Sequence, residues 1–142
     1  MKIVAFTLIA LAVGAEAQSP LQRVPLGLAD LTNPYLNDER ARRAGKKLYA
    51  RECASCHGSD AAGTNKAPSL RNEEVRSAKP GELFWVLQNG SLRHGMPSFA
   101  HLSEARRWQI VTYLQSLDLH DIVGADKFWS YAVCLRAGAT CF

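Results

Sequence analysis

The chain has 142 residues, with 17 Lys and Arg against 13 Asp and Glu for a formal charge of +4, and that length holds one domain. The basic excess comes without a dense Lys/Arg run interleaved with aromatics. This argues against nucleic acid as a partner and leaves a soluble surface, or one steered toward an acidic partner.

The first segment in chain order reads as a leader. Lys2 starts it, Ile3 to Val13 is apolar except for Thr7, and Ala15-Glu16-Ala17 offers a small-x-small cleavage site before Gln18. A signal peptide over 1–17 is predicted. The apolar run is short against the roughly 20 residues of a membrane span, so an uncleaved anchor is the weaker reading and no stable span is expected after cleavage. No cysteine precedes Cys53, which excludes an N-terminal lipid-modified cysteine. All four cysteines fall in the exported part, where disulfides are permitted.

Residues 18–36 contain Pro20, Pro25 and Pro34 and read as an irregular arm. Asn37 suits a helix N-cap, with Asp38 and Glu39 at the positive end of a helix from Asp38 to about Glu52. Ala41, Gly45, Leu48 and Tyr49 make one apolar stripe on it. Gly45 is costly inside a helix. Either another helix approaches closely there, or the glycine is simply tolerated at the surface. Residues 58–79 read as a long loop with one short helical turn, and such a loop is unusual unless it wraps something. Pro80 starts a helix to about Asn89, ended by Gly90, with Leu83, Phe84, Val86 and Leu87 on its apolar side. A second loop, Ser91 to Leu102, carries Gly95-Met96-Pro97. Ser103 then caps a helix to about Leu117, with Ile110, Tyr113, Leu114 and Leu117 on one face and Val111 beside them. No strand signal of comparable strength and no repeat occurs. Three or more short helices over about 80 residues give a thin core, so something else should fill the middle.

The stretch Cys53-Ala54-Ser55-Cys56-His57 admits three readings. A redox dithiol needs the motif at a helix start inside a strand–helix–strand pattern, whereas here it follows a helix and strands are missing. A structural metal domain needs about four ligands, and adjacent Cys56 and His57 make awkward geometry. Covalent haem uses every residue: two thiols for two vinyl groups, and a histidine held under the iron. Electron transfer then calls for a sixth ligand. Met96 is the sole thioether left once the leader departs, and a Gly-Met-Pro loop between two apolar helices suits that role better than core filling. His94, His101 and His120 are rivals, the first two because they lie near Met96 in sequence.

The stretch from about Asn37 to Asp118 resembles the class I cytochromes c, small bacterial type. "RRAGKKLYARECASCHG" is similar to that family's first helix and attachment motif, with Gly45 and Tyr49 at helix-contact positions. "APSL", "GMPSF" and "RWQIVTYLQSL" resemble its proximal loop, distal ligand loop and last helix, with Tyr113 packing near Gly45. The resemblance covers about 80 of about 125 mature residues. It implies an all-α cytochrome c-like fold over 37–119 around one covalent haem c. It also implies axial ligands His57 and Met96, a His57 Nδ1 bond to the Pro68 carbonyl and Leu70 against the haem. Leu48, Leu83, Val86, Leu87, Phe99, Val111 and Leu114 are further candidate walls, and Lys66, Arg71 and Arg93 are candidate docking charges. The implied function is an electron carrier rather than an enzyme. It would work in a bacterial periplasm between a dehydrogenase or quinol-oxidising complex and a terminal oxidase. The alternative is a haem enzyme or gas sensor with an open sixth site, where His94 or His101 serves as distal acid–base group. Residues 120–142 fall outside the family pattern. Cys134 and Cys141 are expected to form a disulfide there, contributing roughly 2–3 kcal/mol. Phe128, Trp129, Tyr131 and Phe142 are expected to pack on the domain or present a docking patch.

Overall fold

Two helices far apart in sequence, α1 (Glu39–Glu52) and α5 (Glu104–His120), make the principal contact of the structure. The computed structural model describes residues 19–120. The expected leader, the Cys134–Cys141 disulfide and the aromatics of the C-terminal extension lie outside the described residues. Between the two long helices come α2 (Ala54–His57), α3 (Glu73–Ser77) and α4 (Pro80–Asn89). Among the described residues no strand forms, only an isolated bridge between Ser91 and Met96, so the fold is all-α. None of the described helices is long and apolar enough to cross a membrane.

The helix starts follow side-chain chemistry, with one correction. The N-cap of α1 is Asp38, whose Oδ1 accepts from the N–H groups of Arg40 and Ala41 at 2.7 and 3.1 Å. Asn37, expected in that role, instead takes a left-handed conformation at φ 65°, which asparagine tolerates better than most residues. The carboxylate, one residue on, is the stronger partner for the helix dipole. Asn72 caps α3 through Val75 N–H. Pro80 opens α4, and Glu82 reaches back to the Lys79 N–H at 2.7 Å. The last helix runs on to His120 rather than stopping near Leu117.

Gly45 sits where α1 meets α5. A Cβ there would lie 1.9 Å from the Gln109 carbonyl oxygen and 2.9 Å from Tyr113 Cβ. Close approach, not surface tolerance, is what the glycine serves. One turn further on, the Tyr49 and Tyr113 rings meet with centroids 5.3 Å apart. On the other side of α5, Trp108 stacks on Phe84 of α4 at 4.2 Å.

The centre of α5 is covered nearly all round: Arg107, Trp108, Ile110, Val111, Thr112 and Tyr113 are buried. The apolar stripe predicted a single covered face. The difference comes from the N-terminal arm, which opens with a 3-10 turn at Pro20–Arg23 and crosses onto the back of α5. There buried Asn33 donates to Thr112 Oγ1 at 2.9 Å, and its Oδ1 accepts from Tyr35 N–H at 2.9 Å. The arm also lies on α4, where a Cβ on Gly81 would stand 2.0 Å from the Leu28 carbonyl.

The buried side chains form two clusters. One joins Leu48, Leu83, Phe84, Leu87, Phe99, Leu102, Trp108, Ile110 and Val111, with Met96 and Leu114 packed against it. The other joins Tyr49, Cys53, Ala61, Tyr113 and Leu117, with Leu70 and again Leu114 against it. Leu114 therefore bridges the two.

Candidate functional site

The Cys-x-x-Cys-His stretch is one helical turn set at the end of α1. The Cys53 N–H still donates to Tyr49 O at 2.8 Å, while its own carbonyl accepts from Cys56 and His57 N–H at 3.1 and 3.0 Å. Three-residue spacing on such a turn brings the two thiols to one side. Both are free, Cys53 buried and Cys56 exposed. Burial first, then the nearby Glu52 and Cys56, pushes the Cys53 thiol up to about 12. Burial of this kind disfavours the thiolate that a redox-active dithiol uses, which weighs against the dithiol reading for Cys53.

His57 ends the turn half-buried, with Nδ1 2.8 Å from the Pro68 carbonyl oxygen. A carbonyl only accepts, so Nδ1 carries the proton and Nε2 keeps its lone pair for a metal. The loop that brings Pro68 there is tied down at several points. Tyr49 OH donates to Gly58 O at 2.6 Å, Gly63 N–H to His57 O at 2.9 Å, and Leu70 N–H to Ala61 O at 2.9 Å. Thr64 Oγ1 also donates to Cys56 O. Gly63, at φ 89°, leaves no room for a side chain: a Cβ would meet Ser69 N at 2.6 Å and the Pro68 carbonyl carbon at 2.9 Å.

Met96 packs against the other cluster, half-buried. Its backbone pairs with Ser91 in both directions, N–H to O at 3.1 Å and O from N–H at 2.8 Å, around a left-handed Gly95. Further along, Phe99 N–H donates to Leu87 O at 2.8 Å and Ser98 Oγ to Gln88 O. These are carbonyls that the end of α4 leaves without a helical partner. His94 is exposed and engaged with Ser91 Oγ at 2.7 Å through Nδ1, and exposed His101 lies 5.9 Å from the Phe99 ring. Of these three side chains, Met96 is the one set against the core. His120 closes α5.

The expected walls divide between the clusters. Leu48, Leu83, Leu87, Phe99 and Val111 fall on the Met96 side and Leu70 on the Cys53 side. Leu114 touches both, while Val86 is buried outside them. Lys66 and Arg93 are exposed, whereas Arg71 donates through Nε to Asp60 O and braces the loop. Sequence reasoning missed Gly63, Ala61 and Arg107, none of which carries a periodic signal.

Two thiols on one turn and an imidazole whose Nδ1 is engaged by a carbonyl fit a covalent haem. Apolar Leu70, Met96 and Leu114 are only partly covered by protein, a surface a porphyrin would shield. Among the described residues no group of three or more His, Cys, Asp and Glu side chains is arranged to hold a metal ion.

Comparison with known proteins agrees. A family described as cytochrome C oxidase, cbb3-type, subunit III matches residues 40–114. Cytochrome c550 of Pseudomonas aeruginosa is 31% identical over 115 residues, covering 78% of this chain and 79% of the relative. A cbb3-type cytochrome c oxidase subunit FixP of Sinorhizobium medicae is 30% identical over 122 residues, 77% of this chain but 41% of FixP. FixP of Rhizobium meliloti is 33% identical over 75 residues, 52% of this chain and 25% of FixP. The chain thus spans less than half of either FixP. No solved structure matches.

Proposed function

As a member of the class I c-type cytochromes with one covalently bound haem c, this chain is an electron-transfer protein, and we propose that it shuttles single electrons with His57 and Met96 as axial ligands. When bound, the haem supplies an iron that alternates between ferric and ferrous states. Cys53 and Cys56 would hold the group through their two sulfurs. The Pro68 carbonyl fixes the His57 ring and raises its basicity through Nδ1. Met96 would offer its sulfur, which favours the ferrous state relative to a second histidine. Held by His57 and Met96, the metal would be closed to small molecules, which supports a carrier rather than an enzyme.

The observation that carries this reading is the 2.8 Å contact of His57 Nδ1 with Pro68 O beside two free thiols. The leader supports a periplasmic site of action. Redox proteins are the partners, a dehydrogenase or quinol-oxidising complex as donor and a terminal oxidase as acceptor. The relatives named as oxidase subunits support the latter. The test is a visible spectrum of the full chain produced with a haem-attachment system, oxidised, reduced and under carbon monoxide. A ferric methionine–iron charge-transfer band and no carbon monoxide shift are expected. A rapid carbon monoxide shift in the unaltered protein would overturn Met96 ligation and favour the enzyme or sensor reading.

A further inference from the structure

We propose that Arg107 is a positioning residue that holds the Met96 loop in its closed place. The inference rests on the reading of Met96 as the distal ligand. Arg107 lies in the first turns of α5, yet it is only 9% exposed. Its Nη1 donates to the carbonyls of Leu102 and, at 3.4 Å, Ala100, and its guanidinium sits 5.0 Å over the Phe84 ring. Phe84 in turn stacks on Trp108.

A buried guanidinium is costly, and here Nε has no partner among the described residues. An apolar side chain of similar size would cover Phe84 without that cost. What only the guanidinium supplies is a cationic donor reaching two backbone carbonyls of one loop, while its flat face rests on an aromatic ring. Those carbonyls close the segment that begins at Met96. The segment's start is fixed by the Ser91 bridge and its middle by the Leu87 and Gln88 carbonyls. Its far end packs into the core through Phe99 and Leu102, and the Arg107 guanidinium adds hydrogen bonds from α5 to two of its carbonyls. Removing that tie spares the α1–α5 contacts at Gly45 and Tyr49 and raises the fraction of time the loop stands open.

A ligand that enters only when the loop opens reports the open fraction directly, because its apparent affinity scales with that fraction. The experiment is imidazole binding to the ferric, haem-loaded full chain. The unaltered protein is compared with Arg107→Gln, Arg107→Lys, Asn33→Ala and Met96→Ala, and each chain's denaturant midpoint is measured alongside. Arg107→Gln should raise imidazole affinity by about tenfold, the effect of one charge-assisted hydrogen bond lost on the closed side, and weaken the methionine–iron band. Arg107→Lys keeps the charge without the planar fork and should fall between, which keeps the test open should the glutamine variant fail to fold. Asn33→Ala acts through Thr112, a contact that involves neither loop carbonyl, and should leave imidazole affinity within about twofold, whatever its midpoint. If affinity instead follows the denaturant midpoint alike in the Arg107 and Asn33 variants, Arg107 is structural only and the proposal falls. If the unaltered protein binds imidazole as readily as Met96→Ala, the Met96 reading itself fails, and this inference with it.

Discussion

The main chain of Gly45 rests directly on the carbonyl of Gln109, so close that a Cβ would stand 1.9 Å from that oxygen. The obstacle is backbone rather than the end of a flexible side chain, so no rotamer change relieves it. Gly45→Ala gains about 1 kcal/mol of helix propensity and loses more to overpacking, which costs about 1–3 kcal/mol or more. A net loss of stability is expected, with the Tyr49–Tyr113 contact disturbed. Denaturant unfolding of the haem-loaded chain checks it, and an unchanged or raised midpoint would show that the helices can part at no cost.

Gly63→Ala should act on the haem side. The substitution forces a side chain into a left-handed conformation, at about 1–2 kcal/mol, and drives it into the Pro68–Ser69 peptide. The Pro68 carbonyl then moves, and the bond to His57 Nδ1 lengthens. A weaker acceptor makes the imidazole a poorer donor to iron, so the reduction potential should rise as stability falls. A potential that stays put while stability drops would separate the loop from the ligand.

Tyr49 predicts an alkaline limit. Burial first, then neighbouring Cys53 and Tyr113, raises its phenol well above the ordinary 10.0. A raised folded pKa means the unfolded chain loses this proton first, so the stabilisation is complete below about pH 10 and declines as pH rises above it. Tyr49→Phe should cost about 1 kcal/mol at neutral pH through the lost bond to Gly58 O. It should also flatten the decline above pH 10. Chemical denaturation of both chains between pH 8 and about pH 11 checks the sign.

Asn33→Ala tests whether the arm belongs to the fold. Asn33 is buried and joins Thr112 Oγ1 to Tyr35 N–H. Its truncation leaves two groups short of a partner, at about 1–3 kcal/mol. The midpoint should fall with a single cooperative transition. A second, earlier transition would make the arm a separately melting piece.

Met96→Ala should keep the covalent haem, lower the reduction potential and open the iron to carbon monoxide. Potentiometry and the reduced spectrum under carbon monoxide decide it. Retention of both properties would assign the sixth position to another residue, with His94 and His101 the nearest in sequence.

Much of the helical frame could be read from the chain because it obeys local rules: Pro80 and Gly90 bracket α4, and the apolar stripe marks α1. The site motifs are equally local, since Cys53, Cys56 and His57 adjoin and Met96 has no methionine rival but Met1. What escaped depends on distant partners. Asn33 looks like any polar loop residue until Thr112 arrives beside it. Arg107 has the composition of a surface position and becomes internal only because the loop from Met96 folds over α5. Asp38 displaced Asn37 as cap by a single residue, a choice settled by backbone conformation that composition does not encode.

The burial of Cys53 bears on the order of events in the making of this protein. Its thiol is buried in the folded domain, in one cluster with Tyr113 and Leu117 of the last helix. A reaction at that sulfur would need the cluster to be open. A chain folded ahead of its haem should therefore load more slowly than one still unfolded.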